Sequence, residues 1–217
     1  MTPLKPAPES LPGQGSIPGE PIVFVVDDDQ AARESLSWLI GSVHLRVRSF
    51  ASAAEFLAAC SPGQSGCVIA DVRMPGLSGL DLQAELRRRG IDLPVIVVTG
   101  HGDVPMAVRA MKAGAIDFVE KPFNDQVLID LVQNAVKQSL AARRSEREKQ
   151  GVRARLEQLT PRERQVLDMI AAGESNKGIA HALGISEKTV EAHRAHVMDK
   201  MQAKSFAELM KLVIALD

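Results

Sequence analysis

The segment Gly66-Cys67-Val68-Ile69-Ala70-Asp71-Val72-Arg73-Met74-Pro75-Gly76 sets a short apolar run directly against a carboxylate, and turn-forming residues follow. A run of this kind, bounded by Gly and Pro, reads as a core strand of a parallel sheet. It delivers Asp71 to the carboxyl end of the strand, where open α/β sheets bind their ligands. A carboxylate there is a candidate nucleophile or metal ligand. Asp27-Asp28-Asp29 closes an earlier apolar run, Thr99 ends a later one, and Lys121-Pro122 follows a fifth. On a doubly wound sheet all of these gather at one rim. Crowded carboxylates repel each other, so the rim calls for a cation, and hard oxygen ligands with open positions suit Mg²⁺. Phosphoryl transfer needs charge neutralisation and alignment. The metal and Lys121 can hold the equatorial oxygens while Asp71 attacks in line, leaving an aspartyl phosphate.

Each piece has an ordinary structural reading as well. Asp29 before a helix can be a plain N-cap, a Lys-Pro pair can be a turn, and Thr99 can simply end a strand. The conjunction carries the weight, because chemically suited residues stand at the ends of four separate strands.

The elements that must position them are legible from patterning. Apolar runs at Ile22 to Val26, Leu45 to Ser49, Cys67 to Ala70, Val95 to Val98 and Ala115 to Val119 alternate with helical patterns. They predict an α/β fold with a doubly wound five-stranded parallel sheet. Ser78 and Asp81 start a helix through Arg89, Gly114 lies just past a helix ending at Met111-Lys112, and Asn124 precedes the last one. That last helix repeats Val127, Leu128, Leu131, Val132, Ala135 and Val136 on one face. It runs into the mixed-charge stretch Arg143 to Gln150, read as a linker over 141–158 that stays helical until Gly151. Residues 1–20, rich in Pro and Gly, read as a disordered leader.

The remaining residues, 159–217, form a small all-α domain. Thr160-Pro161-Arg162-Glu163 is a capping box with Pro at the first helical position, and that helix should stop at Gly173. Ser175 starts a helix through Leu183, Gly184 turns the chain, and Ser186 caps a third helix through about Met201. This is helix, turn, helix. A fourth helix from Ser205 to about Ala215 closes the bundle. On the third helix Val190, Val197 and Met201 face the core, and His193 shares that face as a packed side chain. The opposite face carries Lys188, Glu191, Ala192 and Ala195, with Thr189 and Arg194 at its sides. These could enter a major groove, the small alanines allowing approach to thymine methyl groups. Lys177, Lys188 and Lys200 are candidates for phosphate contacts.

The chain of 217 residues carries a formal net charge of -1, so no bulk electrostatic bias draws it to nucleic acid or membrane. Between 152 and 217 ten Lys and Arg stand against nine Asp and Glu, less than a strong monomeric DNA binder shows. Two copies spanning two half-sites would compensate, so dimerisation is a natural means of control. Aromatic residues make up only 3%, which leaves Leu, Val, Ile, Ala and Met to build the core. Cys60 and Cys67 are expected to be reduced. No apolar stretch is long enough to span a membrane and no signal pattern opens the chain, so a cytoplasmic location is expected.

The acidic cluster, Asp71 with Arg73-Met74-Pro75 and Ser78-Gly79, Val97-Val98-Thr99-Gly100, and Phe118 before Lys121-Pro122-Phe123 resemble the receiver domain of two-component response regulators, over Pro21 to about Leu140. The resemblance implies that Asp71 is the phosphoacceptor and that Asp27, Asp28 and the backbone carbonyl of Arg73 hold Mg²⁺. It implies that Thr99 and Lys121 contact the phosphoryl oxygens and that the Lys121-Pro122 bond is cis. It also implies a switch in which Thr99 is drawn in and Phe118 turns inward. The surface formed by 103–113 and 115–119 would then change and pair two receivers. The plainer reading of Phe118, as a core aromatic, stands as the lesser alternative.

Leu159 to Glu163, Asn176 to Ala180 and Ile185 to His193 look like the LuxR-type helix-turn-helix, so the receiver at 21–140 and the domain at 159–217 together resemble the NarL/FixJ family. A sensor histidine kinase, double-stranded DNA, a second copy of the chain and RNA polymerase are the partners this implies. A turnover enzyme is not expected. Phosphohydrolases of the haloacid-dehalogenase kind share the aspartate nucleophile, but they carry a second Asp two residues on, where this chain has Arg73. A small-molecule-sensing LuxR-type regulator would need an aromatic-lined ligand domain, which is missing.

Overall fold

The computed structural model describes residues 20–100 and 102–216. The expected leader therefore lies, apart from its last residue, outside the described residues. Contacts divide the chain into two compact units, with the boundary after Arg143.

The first unit is a five-stranded parallel sheet in the order β2-β1-β3-β4-β5. Its strands are β1 (Ile22–Val26), β2 (Arg46–Phe50), β3 (Gly66–Asp71), β4 (Val95–Thr99) and β5 (Asp117–Glu120). Every residue of β3 and β4 is buried, as continuous apolar runs in the middle of a parallel sheet require. Successive side chains leave opposite faces and split the core in two. Phe24, Val26, Val68, Ala70, Val95 and Val97 pack on one side with α2 (Ala53–Ala59), α3 (Gly79–Arg88) and α4 (Val104–Lys112). Val23, Val25, Cys67, Ile69, Ile96 and Val98 pack on the other with α1 (Gln30–Ser42) and α5 (Asp125–Glu157).

Two boundaries differ from the sequence reading by more than one residue. The fifth strand begins at Asp117 rather than Ala115, because the exit from α4 consumes the intervening residues. Gly114 takes φ +87°, and the Ala115 N–H bonds back to the Ala110 carbonyl. The second difference is larger. Helix α5 runs for 33 residues through Gly151 to Glu157, so helicity does not end at that glycine. A helical Gly costs about 1 kcal/mol. Burial of Val152 beside Leu156, Leu159, Leu167, Val197 and Met201 outweighs it, at about 1.5–3 kcal/mol for a fully buried aliphatic side chain. Arg155, on the same turns, donates to the Met201 carbonyl at 3.0 Å. The last turns of the segment read as a linker thus form part of the second unit's core.

The second unit adds α6 (Pro161–Ala171), α7 (Asn176–Leu183), α8 (Glu187–Met201) and α9 (Phe206–Ile214). Thr160 and Glu163 form the expected capping box, Ser175, Ser186 and Ser205 cap the next three helices, and Gly184 ends α7 in the left-handed conformation. Glu163 does more than cap. Its carboxylate is buried and accepts from the Lys200 ammonium at 2.7 Å and the Thr160 N–H at 2.8 Å, tying α6 to α8. The Lys200 hydrogen bond, followed by that of the Thr160 backbone, holds the Glu163 carboxyl down to about 2.

Two stability measurements follow. Ser139 is buried on α5 and its hydroxyl accepts the Gly66 N–H at 3.0 Å. Ser139→Ala strands that donor and is expected to cost about 1–3 kcal/mol, read from urea denaturation. Because the folded pKa of Glu163 is depressed, its contribution is complete above the ordinary carboxyl value of 4.5 and drains away as pH falls toward about 2. Glu163→Gln is expected to flatten that stretch of the stability profile of the second unit, and at pH 7 to cost about 1–3 kcal/mol.

Candidate functional site

Parallel pairing brings the strand ends level. Val26 pairs with Ala70, Asp71 with Val98, and Thr99 with Glu120, so the residues at or just beyond these positions share one rim. Asp27 is 3% exposed and Asp71 9%. The Lys121 ammonium bridges them, 2.8 Å from Asp27 Oδ2 and 3.3 Å from Asp71 Oδ1. The remaining carboxylate oxygens are held by backbone: Asp71 Oδ2 accepts the Arg73 N–H at 2.6 Å and Asp27 Oδ1 the Asp29 N–H at 2.9 Å. Thr99, 1% exposed, ends β4, and its carbonyl accepts the Lys121 N–H at 2.8 Å. The Lys121–Pro122 peptide is cis.

Burial pushes the Asp71 carboxyl up, the Arg73 N–H and Lys121 pull it down, and the neighbouring Asp27 pushes it up again, leaving it raised. For Lys121 burial acts downward, but the carboxylates of Asp27 and then Asp71 more than reverse it, so its pKa is raised. Two buried carboxylates share a single ammonium, and the pocket has room in its charge balance for a further cation.

The donor set fits Mg²⁺ in chemistry. That ion takes one or two carboxylates, keeps several waters and accepts phosphate oxygens. Asp27, Asp71 and the Arg73 carbonyl are hard oxygen donors at the rim, and Asp28 is exposed beside them. Among the described residues no three acidic, histidine or cysteine side chains are gathered closely enough to ligate one ion together, Lys121 standing between Asp27 and Asp71. Asp29 takes the plain role allowed for it, capping α1 through the N–H groups of Ala31 and Ala32.

Three residues to which the sequence reading gave no role of their own complete the rim. Arg33, in the first turns of α1, donates to the Asp27 carbonyl at 2.7 Å and fixes the peptide between Asp27 and Asp28. A basic residue one turn into the helix after an acidic strand end was the available signal. Gly79 lets α3 start against the Asp71 backbone, since a Cβ there would collide with the Asp71 carbonyl oxygen. At Gly102 a Cβ would fall 2.9 Å from the half-buried Phe118 ring and 3.4 Å from the Thr99 methyl, so this position must be bare for the ring to sit where it does. Neither glycine had a local signal, because both clashes are tertiary.

On the second unit, α8 buries Val190, Val197 and Met201. Lys188, Thr189, Glu191, Ala192 and Ala195 are exposed on the remaining face, and Lys177 is exposed on α7. The Thr189 and Ser186 hydroxyls lie 2.8 Å apart at the helix start. Arg194 is turned aside: it donates to Asn176 Oδ1 at 3.2 Å, and its guanidinium lies 5.9 Å from the Phe206 ring centroid. Lys200, expected at a phosphate, is committed to Glu163. His193 is half-buried, and His196, which the sequence reading did not single out, is exposed with Nδ1 3.7 Å from Glu163 Oε1.

Comparison with known proteins matches residues 23–133 to the response regulator receiver domain and residues 157–213 to the bacterial regulatory proteins of the luxR family. The chain is similar to the transcriptional regulatory protein FixJ of Azorhizobium caulinodans, 49% identical over 207 residues covering 95% of this chain and 93% of that one. It is also similar to nodulation protein W of Bradyrhizobium diazoefficiens, 48% identical over 191 residues covering 88% and 84%. Among solved structures, the response regulator StyR superposes with a TM-score of 0.83 at 42% identity over 90% of this chain and 98% of that one. Full-length FixJ from B. japonicum gives 0.54 at 45% identity over 90% and 97%. Relatives this similar over nearly their whole length leave one assignment: the chain belongs to the two-component response regulators of the NarL/FixJ family, a receiver joined to a LuxR-type DNA-binding domain.

Proposed function

We propose that Asp71 accepts a phosphoryl group from a sensor histidine kinase and that this event raises the affinity of the second unit for DNA by pairing two receivers. The observation that supports it most is the Lys121 ammonium shared between two buried carboxylates. A carboxylate oxygen of Asp71 forms the new bond to phosphorus as the bond from phosphorus to the donor nitrogen breaks. Asp27, Asp28, Asp71 and the Arg73 carbonyl would hold Mg²⁺, which supplies charge neutralisation for the phosphoryl oxygens. The backbone N–H of Arg73 keeps the Asp71 carboxylate aimed, and Arg33 steadies the Asp27 peptide. The phosphoryl group is received once per chain rather than turned over.

Modification moves negative charge outward from Asp71, and the Lys121 ammonium can follow it. The Thr99 hydroxyl becomes the second donor, and Phe118 turns inward from beside Gly102. The surface beyond is suited to pairing: Val104, Val108 and Met111 are 76%, 44% and 48% exposed and lie four and three residues apart along one stripe of α4. Receivers paired there bring two copies of α8 to DNA, with Lys177 and Lys188 at phosphates and Thr189, Glu191, Ala192 and Ala195 at base edges. Arg194 and Lys200 support the helix from within. Among the described residues no helix is long and apolar enough to cross a membrane, in keeping with work in the cytoplasm beside the chromosome, where RNA polymerase is a further partner.

A small acyl-phosphate donor with Mg²⁺ is expected to raise both the dimer fraction in sedimentation and the affinity for DNA selected by the full chain, by about five- to 150-fold. Asp71→Asn, or chelation of Mg²⁺, is expected to abolish both responses. An undiminished response in Asp71→Asn contradicts the proposal.

A further inference from the structure

Half of the described acidic side chains of the second unit have visible occupations. Glu163 pairs with Lys200, Asp168 with Arg164, and Glu208 accepts the Lys204 N–H. Glu191, in the second turn of α8, has none: it is exposed and has no hydrogen-bond or ion-pair partner among the described residues. Both basic residues at helical spacing from it are spent elsewhere or left free. Arg194, three residues on, is held by Asn176 and Phe206, and Lys188, three residues back, makes no ion pair with it.

Lys188, Glu191, Ala192 and Ala195 follow the i, i+3, i+4, i+7 spacing of one helical stripe. From first to last they span about 10 Å, or roughly three base pairs of duplex. Ala192 and Ala195 end at Cβ, so the helix backbone can come close to the groove floor there. A carboxylate carried into that groove loses water and meets phosphate repulsion with no cation of its own chain to offset them. It is tolerated only if the groove returns a hydrogen bond, and a carboxylate can only accept. Guanine offers N7 and O6 and thymine O4, all acceptors. Adenine pairs its N6 donor with an N7 acceptor that repels the second carboxylate oxygen. Cytosine alone presents the N4 donor without a neighbouring acceptor.

We infer that Glu191 is a specificity-determining residue that accepts a hydrogen bond from a cytosine N4 amine in each half-site, within three base pairs that also place a thymine methyl against Ala192 or Ala195. The inference rests on the DNA-binding role of α8 and names the base that this role selects.

The test selects bound duplexes from a randomised pool with the full chain, in the presence of an acyl-phosphate donor and Mg²⁺, for the wild type and for Glu191→Gln and Glu191→Ala. The wild-type pool is expected to fix a cytosine at one position of each half-site, by about tenfold to a hundredfold over other bases. Glu191→Gln should move the preference at that position toward adenine, which a side-chain amide reads bidentately, and Glu191→Ala should erase it. Other positions should be unchanged. An enriched motif that both variants reproduce overturns the inference while leaving DNA binding by α8 intact. So does a uniform rise in affinity for all sequences in the variants, the mark of a carboxylate that merely repels phosphate. A wild-type pool with no enriched sequence overturns both the inference and the DNA-binding role on which it rests.

Discussion

Two carboxylates with one ammonium between them are the constraint from which the first unit is built. Asp27 and Asp71 are almost wholly removed from water, and burial of a charge is tolerated only where it is paired and hydrogen-bonded. Lys121 answers part of that demand, and the backbone N–H groups of Asp29 and Arg73 answer more. Several neighbouring features hold this arrangement in place. The level ends of β1, β3 and β4 set the spacing, Arg33 fixes the loop after β1, and Gly79 lets α3 begin against the Asp71 backbone. A site balanced in this way responds strongly to a change of charge on Asp71, because the partners are fixed and the medium is poorly screening.

The rim was legible in the sequence because a buried parallel strand leaves an unambiguous trace. Its apolar run is continuous and the chemistry sits at its end, as at Ala70-Asp71 and Val98-Thr99. Helix starts were legible for a similarly local reason, since Thr160 with Glu163, or Ser186 before Glu187, satisfy free N–H groups within one turn. What escaped depends on residues far apart in the chain. Gly151 reads as a stop until Val152 and Leu156 are seen to bury against Leu167 and Met201. Lys200 reads as a free cation until the crossing of α6 over α8 brings it to Glu163, 37 residues earlier. Arg194 reads as a groove residue until Asn176 and Phe206 claim it.

Those corrections sharpen the second unit. With Arg194 and Lys200 engaged inside the domain, the exposed stripe of α8 is small and weakly charged, Lys188 being its one cation beside Glu191 and two alanines. Phosphate attraction, which supplies most non-specific affinity, is correspondingly modest for one copy. Binding that is weak singly and doubled by pairing suits the proposed control by the number of copies brought together. In the proposed mechanism the acidic pocket and the apolar stripe of α4 are two ends of one coupling, and the DNA-binding helix need not itself change shape to be regulated.

The central claim concerns one side chain, and reductive trapping reads it directly. The full chain is treated with an acyl-phosphate donor and Mg²⁺ and reduced with borohydride, which converts an acyl phosphate to an alcohol, and the peptides are then sequenced by mass spectrometry. Conversion at residue 71 alone is expected. Conversion at another carboxylate, or none while the protein still pairs and binds DNA, contradicts the role assigned to Asp71.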